Sequence, residues 1–155
     1  MKLTWKRSSK YMIVDGSKQI EVSNNVRNEL NKLRKPDQVV KTTPDGLPYY
    51  PRQFPVGLWV VDRPVPKDPS DDYLYPFFIP TLAKQMVDVW STLNGKYAEK
   101  TGKQVMDYGY GIHYSESNTT LGCLKVINKS DLVWLVGRIN EELDHGNSVT
   151  MEVTI

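Results

Sequence analysis

The chain contains one cysteine, Cys123, and two histidines, His113 and His145, in 155 residues. A single cysteine closes no intramolecular disulfide, and with so few histidines it supplies no paired-cysteine zinc site, which leaves burial or reactivity as its purpose. Neither sign of charge is in excess: 20 Lys and Arg against 18 Asp and Glu give a formal net charge of +2. These charges are spread along the chain and form no concentrated footprint for nucleic-acid phosphates. No apolar run approaches the roughly 20 residues that span a bilayer. The basic start, Met1 to Arg7, leads into Ser8-Ser9-Lys10-Tyr11 and not into an apolar stretch with a small-residue cleavage site. No secretory signal is readable, and the expectation is a chain without a membrane span, cytoplasmic at synthesis. Repeats and low-complexity tracts are also missing. With 39% apolar and 25% charged residues the composition is that of an ordinary folding domain, so one domain over residues 1–155 is expected.

What is present is alternation. Lys2 to Arg7, Tyr11 to Val14 and Gln19 to Val22 are short strand-like runs, and Asp15-Gly16 supplies hairpin-turn chemistry between the last two, which predicts a β-meander. Ser23-Asn24-Asn25 offers a cap for a short helix with Val26, Leu30 and Leu33 at i, i+4 and i+7, ended by Pro36. Residues 41–54 are crowded with Pro, Gly and Tyr and read as a loop. Phe54 to Val61 is apolar on both faces and reads as a central strand. Residues 65–76, with several prolines and Asp68, Asp71 and Asp72, read as a surface loop. Leu82, Met86, Trp90, Leu93 and Tyr97 recur every three or four residues, which predicts an amphipathic helix from Pro80 to about Lys100. Val105 to Ser115 reads as a strand thinned by glycines, with His113 near its end, and Cys123 to Ile127 as another. Ser130 caps a predicted helix whose Leu132, Leu135, Val136, Ile139 and Leu143 share a stripe, stopped at His145-Gly146. Val149 to Ile155 alternates as a closing strand.

Gly111-Ile112-His113-Tyr114 and Thr120-Leu121-Gly122-Cys123-Leu124-Lys125 place a strand-borne histidine ten residues before a cysteine preceded by glycine. A thiolate is a nucleophile, and an adjacent imidazole can take its proton and later hand it to a leaving amine. The nine intervening residues suffice to loop out and return. Gly122 permits a tight turn, so that the amides of Gly122 and Cys123 can face a developing oxyanion. On spacing alone, a lone cysteine is more often a small buried hydrophobe and a lone histidine a hydrogen-bonded structural residue. A zinc site from His113, Cys123, Asp144 and His145 has suitable ligand types but no close paired spacing, and no metal or cofactor is expected. Lys100-Thr101-Gly102 matches the Lys-Thr-Gly box of penicillin-binding enzymes, but no Ser-x-x-Lys accompanies it, and it reads as a helix end. Tyr49, Tyr50, Trp59, Tyr108, Tyr110 and Tyr114 either line a glycan or peptide groove or pack inside.

Taken together, the Ile112-His113 pair and the Thr120-Leu121-Gly122-Cys123-Leu124-Lys125 segment resemble the active-site signature of the L,D-transpeptidase catalytic domain, the YkuD-type family. In that family a strand carries Ile-His and a later Ser/Thr-x-Gly-Cys-Ile/Val/Leu-Arg motif carries the nucleophile. The likeness continues through a helix and terminal strand, Asn128 to Leu143 and Val149 to Ile155. It extends more weakly to Pro51 to Val61. Leu121 stands where the family often has His, and Lys125 where it has Arg, a point charge in place of a planar fork.

The resemblance implies a mixed α+β, mostly β fold, an L,D-transpeptidase-like β-sandwich with two or three packed helices. It further implies acyl transfer on peptidoglycan stem peptides, with Cys123 as nucleophile, His113 as base and then acid, and Gly122 in the oxyanion turn. Thr120, Lys125, Tyr114 and Tyr110 would contact substrate, Lys125 by neutralising a carboxylate. An amine acceptor makes the protein a transpeptidase; water makes it a carboxypeptidase or endopeptidase. A lysis system, a virion or a secretion apparatus would deliver it to the wall. The alternatives are a catalytically silent peptidoglycan- or partner-binding domain and a zinc-dependent amidase.

Overall fold

In the computed structural model, which describes residues 1–26, 41–42, 48–49, 52–91, 99–116, 120 and 122–155, strand forms wherever the N-terminal chain alternates. β1 (Lys2–Lys6), β2 (Tyr11–Val14) and β3 (Lys18–Ser23) build the predicted meander. Leu3, Trp5, Met12, Val14, Ile20 and Val22 are buried on its inner side. The proline-rich stretches hold only short pieces, β4 (Lys41–Thr42), β5 (Pro48–Tyr49), β6 (Gly57–Val60) and β7 (Val65–Pro66). The remaining strands are β8 (Phe77–Pro80), β9 (Gln85–Ser91), β10 (Glu99–Asp107), β11 (Gly111–Tyr114), β12 (Leu124–Val126) and, after the helix α1 (Lys129–Asp144), β13 (Thr150–Thr154).

Nine strands make one sheet in the order β6-β13-β1-β2-β3-β12-β11-β8-β7. β13 lies parallel to β1, and β12 lies parallel to β11. The sheet curls until its far strands meet: Val61 bridges Thr81, the Leu82 amide donates to the Val60 carbonyl at 2.9 Å, and the Asp62 amide donates to the Pro80 carbonyl at 2.9 Å. α1 buries Leu132, Leu135, Val136 and Ile139 against the inside of this curl, each worth roughly 1.5–3 kcal/mol of apolar burial. Its end is closed by the Gly146 and Asn147 amides, which return to the Leu143 and Glu142 carbonyls. A second sheet, β10-β9-β5-β4, stands beside the first.

The mostly β expectation holds, and four sequence expectations are corrected. The described part of residues 80–100 is not helical: β9 and β10 pair antiparallel there. Residues 86 and 90 fit helical spacing, but they are also both even positions, one face of β9. Val87 and Val89 on the opposite face are the buried ones, whereas Leu82 is 60% and Met86 49% exposed. The strand within Phe54 to Val61 is not buried on both faces: Leu58 is 66% and Val60 50% exposed. β6 stands at the end of the ladder order beside β13, with only the Val61–Thr81 bridge and its flanking hydrogen bonds on its other side among the described residues. Residues 105–115 form two strands, interrupted at Tyr108-Gly109-Tyr110. The helix begins one residue before Ser130, with Asn128 at its cap. α1 is the one helix among the described residues; the helix expected after Asn25 lies outside them, except for Val26, which bridges Thr120.

Candidate functional site

β11 and β12 pair in parallel register, Ile112 with Leu124, His113 with Lys125 and Tyr114 with Val126. Side chains alternate across a strand, so Ile112, Leu124 and Val126 enter the core while His113 and Lys125 share the other face. Cys123 immediately precedes β12, one residue before the Ile112–Leu124 pair, with the Gly111 amide beside its thiol. Phe78, opposite His113 in β8, lays its ring over Gly111; a Cβ there would come within 2.4 Å of that ring.

His113 is fully buried, with Nδ1 3.0 Å from the Tyr114 carbonyl oxygen. A carbonyl only accepts, so Nδ1 carries the hydrogen and Nε2 presents a bare lone pair. That Nε2 is buried and has no hydrogen-bond partner among the described residues. The Tyr73 ring lies over the imidazole, centroids 5.3 Å apart and planes 31° apart. Burial holds the imidazole below its ordinary pKa and the Lys125 ammonium adds to that, against the Tyr114 and Tyr73 carbonyls and Asp71. The Tyr73 carbonyl is thus close enough to favour the cation without making a bond of normal geometry to Nε2.

Cys123 sits at the end of a stiff turn. The Gly122 amide donates to Thr120 Oγ1 at 2.9 Å, and the Thr120 hydroxyl donates to the Cys123 carbonyl at 2.9 Å. Asn24 Nδ2 donates to the Gly122 and Cys123 carbonyls at 2.9 and 2.8 Å, while Asn24 Oδ1 accepts the Phe54 amide at 2.8 Å. Gly122 has φ +120°, and a Cβ would stand 2.8 Å from a Tyr110 ring carbon and 2.9 Å from the Arg52 carbonyl oxygen, so only glycine fits. Cys123 as a residue is half-buried, and its sulfur points toward the Gly109 carbonyl oxygen at 3.7 Å. Crowding by protein pushes the thiol up, opposed by the Gly111 amide and Lys41 and reinforced by Asp107. Among the described residues no hydrogen bond joins Cys123 to His113.

Beside the sulfur, the second sheet contributes a buried polar hub. The Asp107 side chain is 0% exposed and accepts from Lys41 Nζ at 3.2 and 3.3 Å, from Tyr49 Oη at 2.7 Å and from Tyr110 Oη. Gln85 Nε2 donates to Tyr110 Oη and to the Gln53 carbonyl, each at 2.7 Å. Burial and the adjacent carboxylate push both phenols up, so they remain donors. Lys41 Nζ lies 5.7 Å and 5.1 Å from the Tyr49 and Tyr110 ring centroids.

The residues singled out in the sequence therefore divide. His113, Gly122, Cys123, Thr120 and Lys125 gather on β11, β12 and the turn before it. Tyr110 is 1% exposed, its ring edge-on to Phe54 at 5.6 Å and its hydroxyl on Asp107. Lys125 is 7% exposed beside His113. Tyr114 is half-buried under Lys129 Nζ at 5.5 Å. The proposed zinc set is dispersed: Asp144 pairs with Arg63 at 2.9 Å and His145 Nδ1 lies 2.8 Å from the Glu141 carbonyl oxygen. No group of three His, Cys, Asp or Glu suited to a metal ion occurs among the described residues. Lys41, Tyr73 and Asp107 escaped the sequence reading, and Asn24 entered it only as part of a helix cap. Nothing local marked Asp107, which ends a mostly polar strand and whose Lys41 and Tyr49 partners lie 66 and 58 residues away.

No helix among the described residues is long and apolar enough to cross a membrane. No family model, no curated protein and no solved structure matches the chain.

Proposed function

We propose that the chain is a cysteine-dependent acyltransferase or peptidase acting on peptidoglycan stem peptides, with Cys123 as nucleophile and His113 as proton carrier. The observation that carries this reading is the state of His113: one ring nitrogen committed to the Tyr114 carbonyl, the other without a hydrogen-bond partner among the described residues, one strand from the segment that carries Cys123. An imidazole so held is neutral and oriented, as a general base requires. Extending the β11–β12 spacing by one residue to Cys123 separates the two Cα atoms by roughly 8 Å, a span that two side chains directed to one face close. The peptidoglycan substrate class rests on the resemblance of residues 112–113 and 120–125 to the L,D-transpeptidase signature.

In the reaction the thiol proton passes to His113 Nε2 as sulfur bonds to the substrate carbonyl carbon. The tetrahedral adduct then expels the amine, which takes that proton, leaving a thioester on Cys123. An amine or water repeats the sequence in reverse and frees the sulfur. The Gly122 amide is occupied by Thr120 Oγ1, so we assign the oxyanion to the amide of Cys123 itself. Thr120 and Asn24 then position the turn, and Lys125 keeps the imidazole uncharged.

Intact-mass spectrometry after exposure to a carbapenem or a stem-peptide donor tests this: a single acyl adduct forms on Cys123 and is absent from Cys123→Ala. Undiminished turnover in folded Cys123→Ala ends the reading. The resting thiol, the occupied Gly122 amide and the Tyr73 ring over His113 favour a second reading, a binding domain without turnover. It predicts sacculus binding that survives Cys123→Ala, with no adduct in either protein.

A further inference from the structure

The Asp107 hub belongs to neither the sheet carrying Cys123 nor the helix packed on it, yet one short turn ties it to the sulfur. Residues 107–111 supply, in order, the carboxylate that holds Lys41, the Gly109 carbonyl that meets Sγ at 3.7 Å, the Tyr110 ring against Gly122, and the Gly111 amide beside the thiol. Lys41 lies across this turn, its ammonium on both Asp107 oxygens and over the Tyr110 ring, with 22% of its side chain in solvent. A lysine on a flexible stem is fixed there by a fully buried acid, two aromatic faces and a network closed by Tyr49 and Gln85. So much fixing exceeds what joining a two-residue strand requires, because a buried ion pair is a poor source of net stability.

We infer that Lys41, locked by Asp107, is a positioning residue for the Cys123 thiol: it sets a cation against the sulfur when negative charge develops there, and Asp107 limits how strongly it does so. The inference rests on the reading that Cys123 reacts. Tyr110 carries Lys41 of β4 over its ring and Asp107 of β10 on its hydroxyl, and the same ring meets Gly122, the residue before the cysteine, beside the Arg52 carbonyl. Tyr49 of β5 stands behind Asp107, and Lys125 of β12 pairs in register with His113. Lys41 favours the thiolate and Asp107 opposes it. The two members of the pair therefore act on the sulfur with opposite sign, an effect that is read in the reactivity of the thiol and not in the stability of the fold.

The pH profile of Cys123 alkylation by iodoacetamide, a neutral reagent, separates the two. Below the thiol pKa the rate follows the thiolate fraction. Lys41→Met moves the profile to higher pH and slows alkylation at pH 8 by about three- to tenfold, Lys41→Arg restores it, and Asp107→Asn moves it the other way. Circular dichroism and melting confirm that each variant is folded. An unmoved profile in Lys41→Met, or shifts of one direction in Lys41→Met and Asp107→Asn, overturns the inference. If Asp107→Asn does not fold, Lys41→Met against Lys41→Arg decides it alone. Opposed shifts in a protein that accepts no acyl donor support the inference and end the acyl-transfer reading.

Discussion

His113 lies in β11 and Cys123 immediately precedes β12, the parallel neighbour of β11, yet their surroundings are opposite in kind. The histidine lies under the aromatic ring of Tyr73, with a carbonyl bonded to one nitrogen and no hydrogen-bond partner on the other among the described residues. The cysteine is wrapped in polar bonds, by the Asn24 and Thr120 links to its carbonyl and by the Lys41–Asp107 pair behind it. Despite that contrast, burial acts on both in one sense: it disfavours imidazolium at one end and thiolate at the other. The resting pair is thus thiol and neutral imidazole. In the proposed reaction proton transfer accompanies attack, instead of being complete beforehand as in a thiolate–imidazolium pair.

The sharpest way to break this comparison is to remove the nucleophile. Cys123→Ala abolishes adduct formation and lowers turnover by about a thousandfold or more, with the fold intact, as read by intact mass and by muropeptide release from sacculi. Removing the base has a smaller effect: His113→Asn lowers turnover about 10²- to 10⁴-fold. Because the thiol remains, it still alkylates with iodoacetamide. Loss of alkylation in a folded His113→Asn protein would show that the histidine supports the turn instead of the chemistry. Gly122→Ala acts on the fold: a Cβ within 2.9 Å of both the Tyr110 ring and the Arg52 carbonyl, at φ +120°, costs about 1–3 kcal/mol. Denaturant titration measures that directly, and a cost below ~0.5 kcal/mol would mean that the turn yields.

The sequence disclosed these two regions unequally, for physical reasons. The meander and α1 were legible because local rules fix them: Asp15-Gly16 turns one hairpin, and Leu132, Leu135, Val136 and Ile139 repeat at helical spacing up to Gly146, although the cap read at Ser130 falls at Asn128, whose side chain makes no capping bond. The β9–β10 pairing was not, because residues 86 and 90 satisfy both a helical stripe and one strand face, and the odd-numbered Val87 and Val89 decide the matter only once packed. At the candidate site, the Gly122-Cys123 turn and His113 showed in motif spacing. Asn24 reaches across 98 residues to Gly122, and Lys41 across 66 to Asp107; topology alone creates such contacts. Tyr110 was legible as an aromatic but not as the buried donor to Asp107, since its role depends on that same pairing.

The mildest effect follows from the shared sense of burial at the two ends. His113 has a folded pKa below its unfolded value near 6.5, so its stabilising effect is complete above that pH and is lost as pH falls through the folded pKa. For Cys123 the folded pKa is raised above the unfolded value near 8.5, so its contribution is complete below that pH and is lost as pH rises through the folded pKa. The two groups therefore erode stability from opposite sides of neutrality. Melting temperatures measured from pH 5 to pH 10 should fall at both ends. His113→Asn should flatten only the acid limb and Cys123→Ala only the alkaline one, because each substitution deletes one titration and leaves the other in place. An acid limb unchanged in His113→Asn would assign that loss to the carboxylates. It would also mean that the bare Nε2 contributes nothing to the balance between folded and unfolded chain.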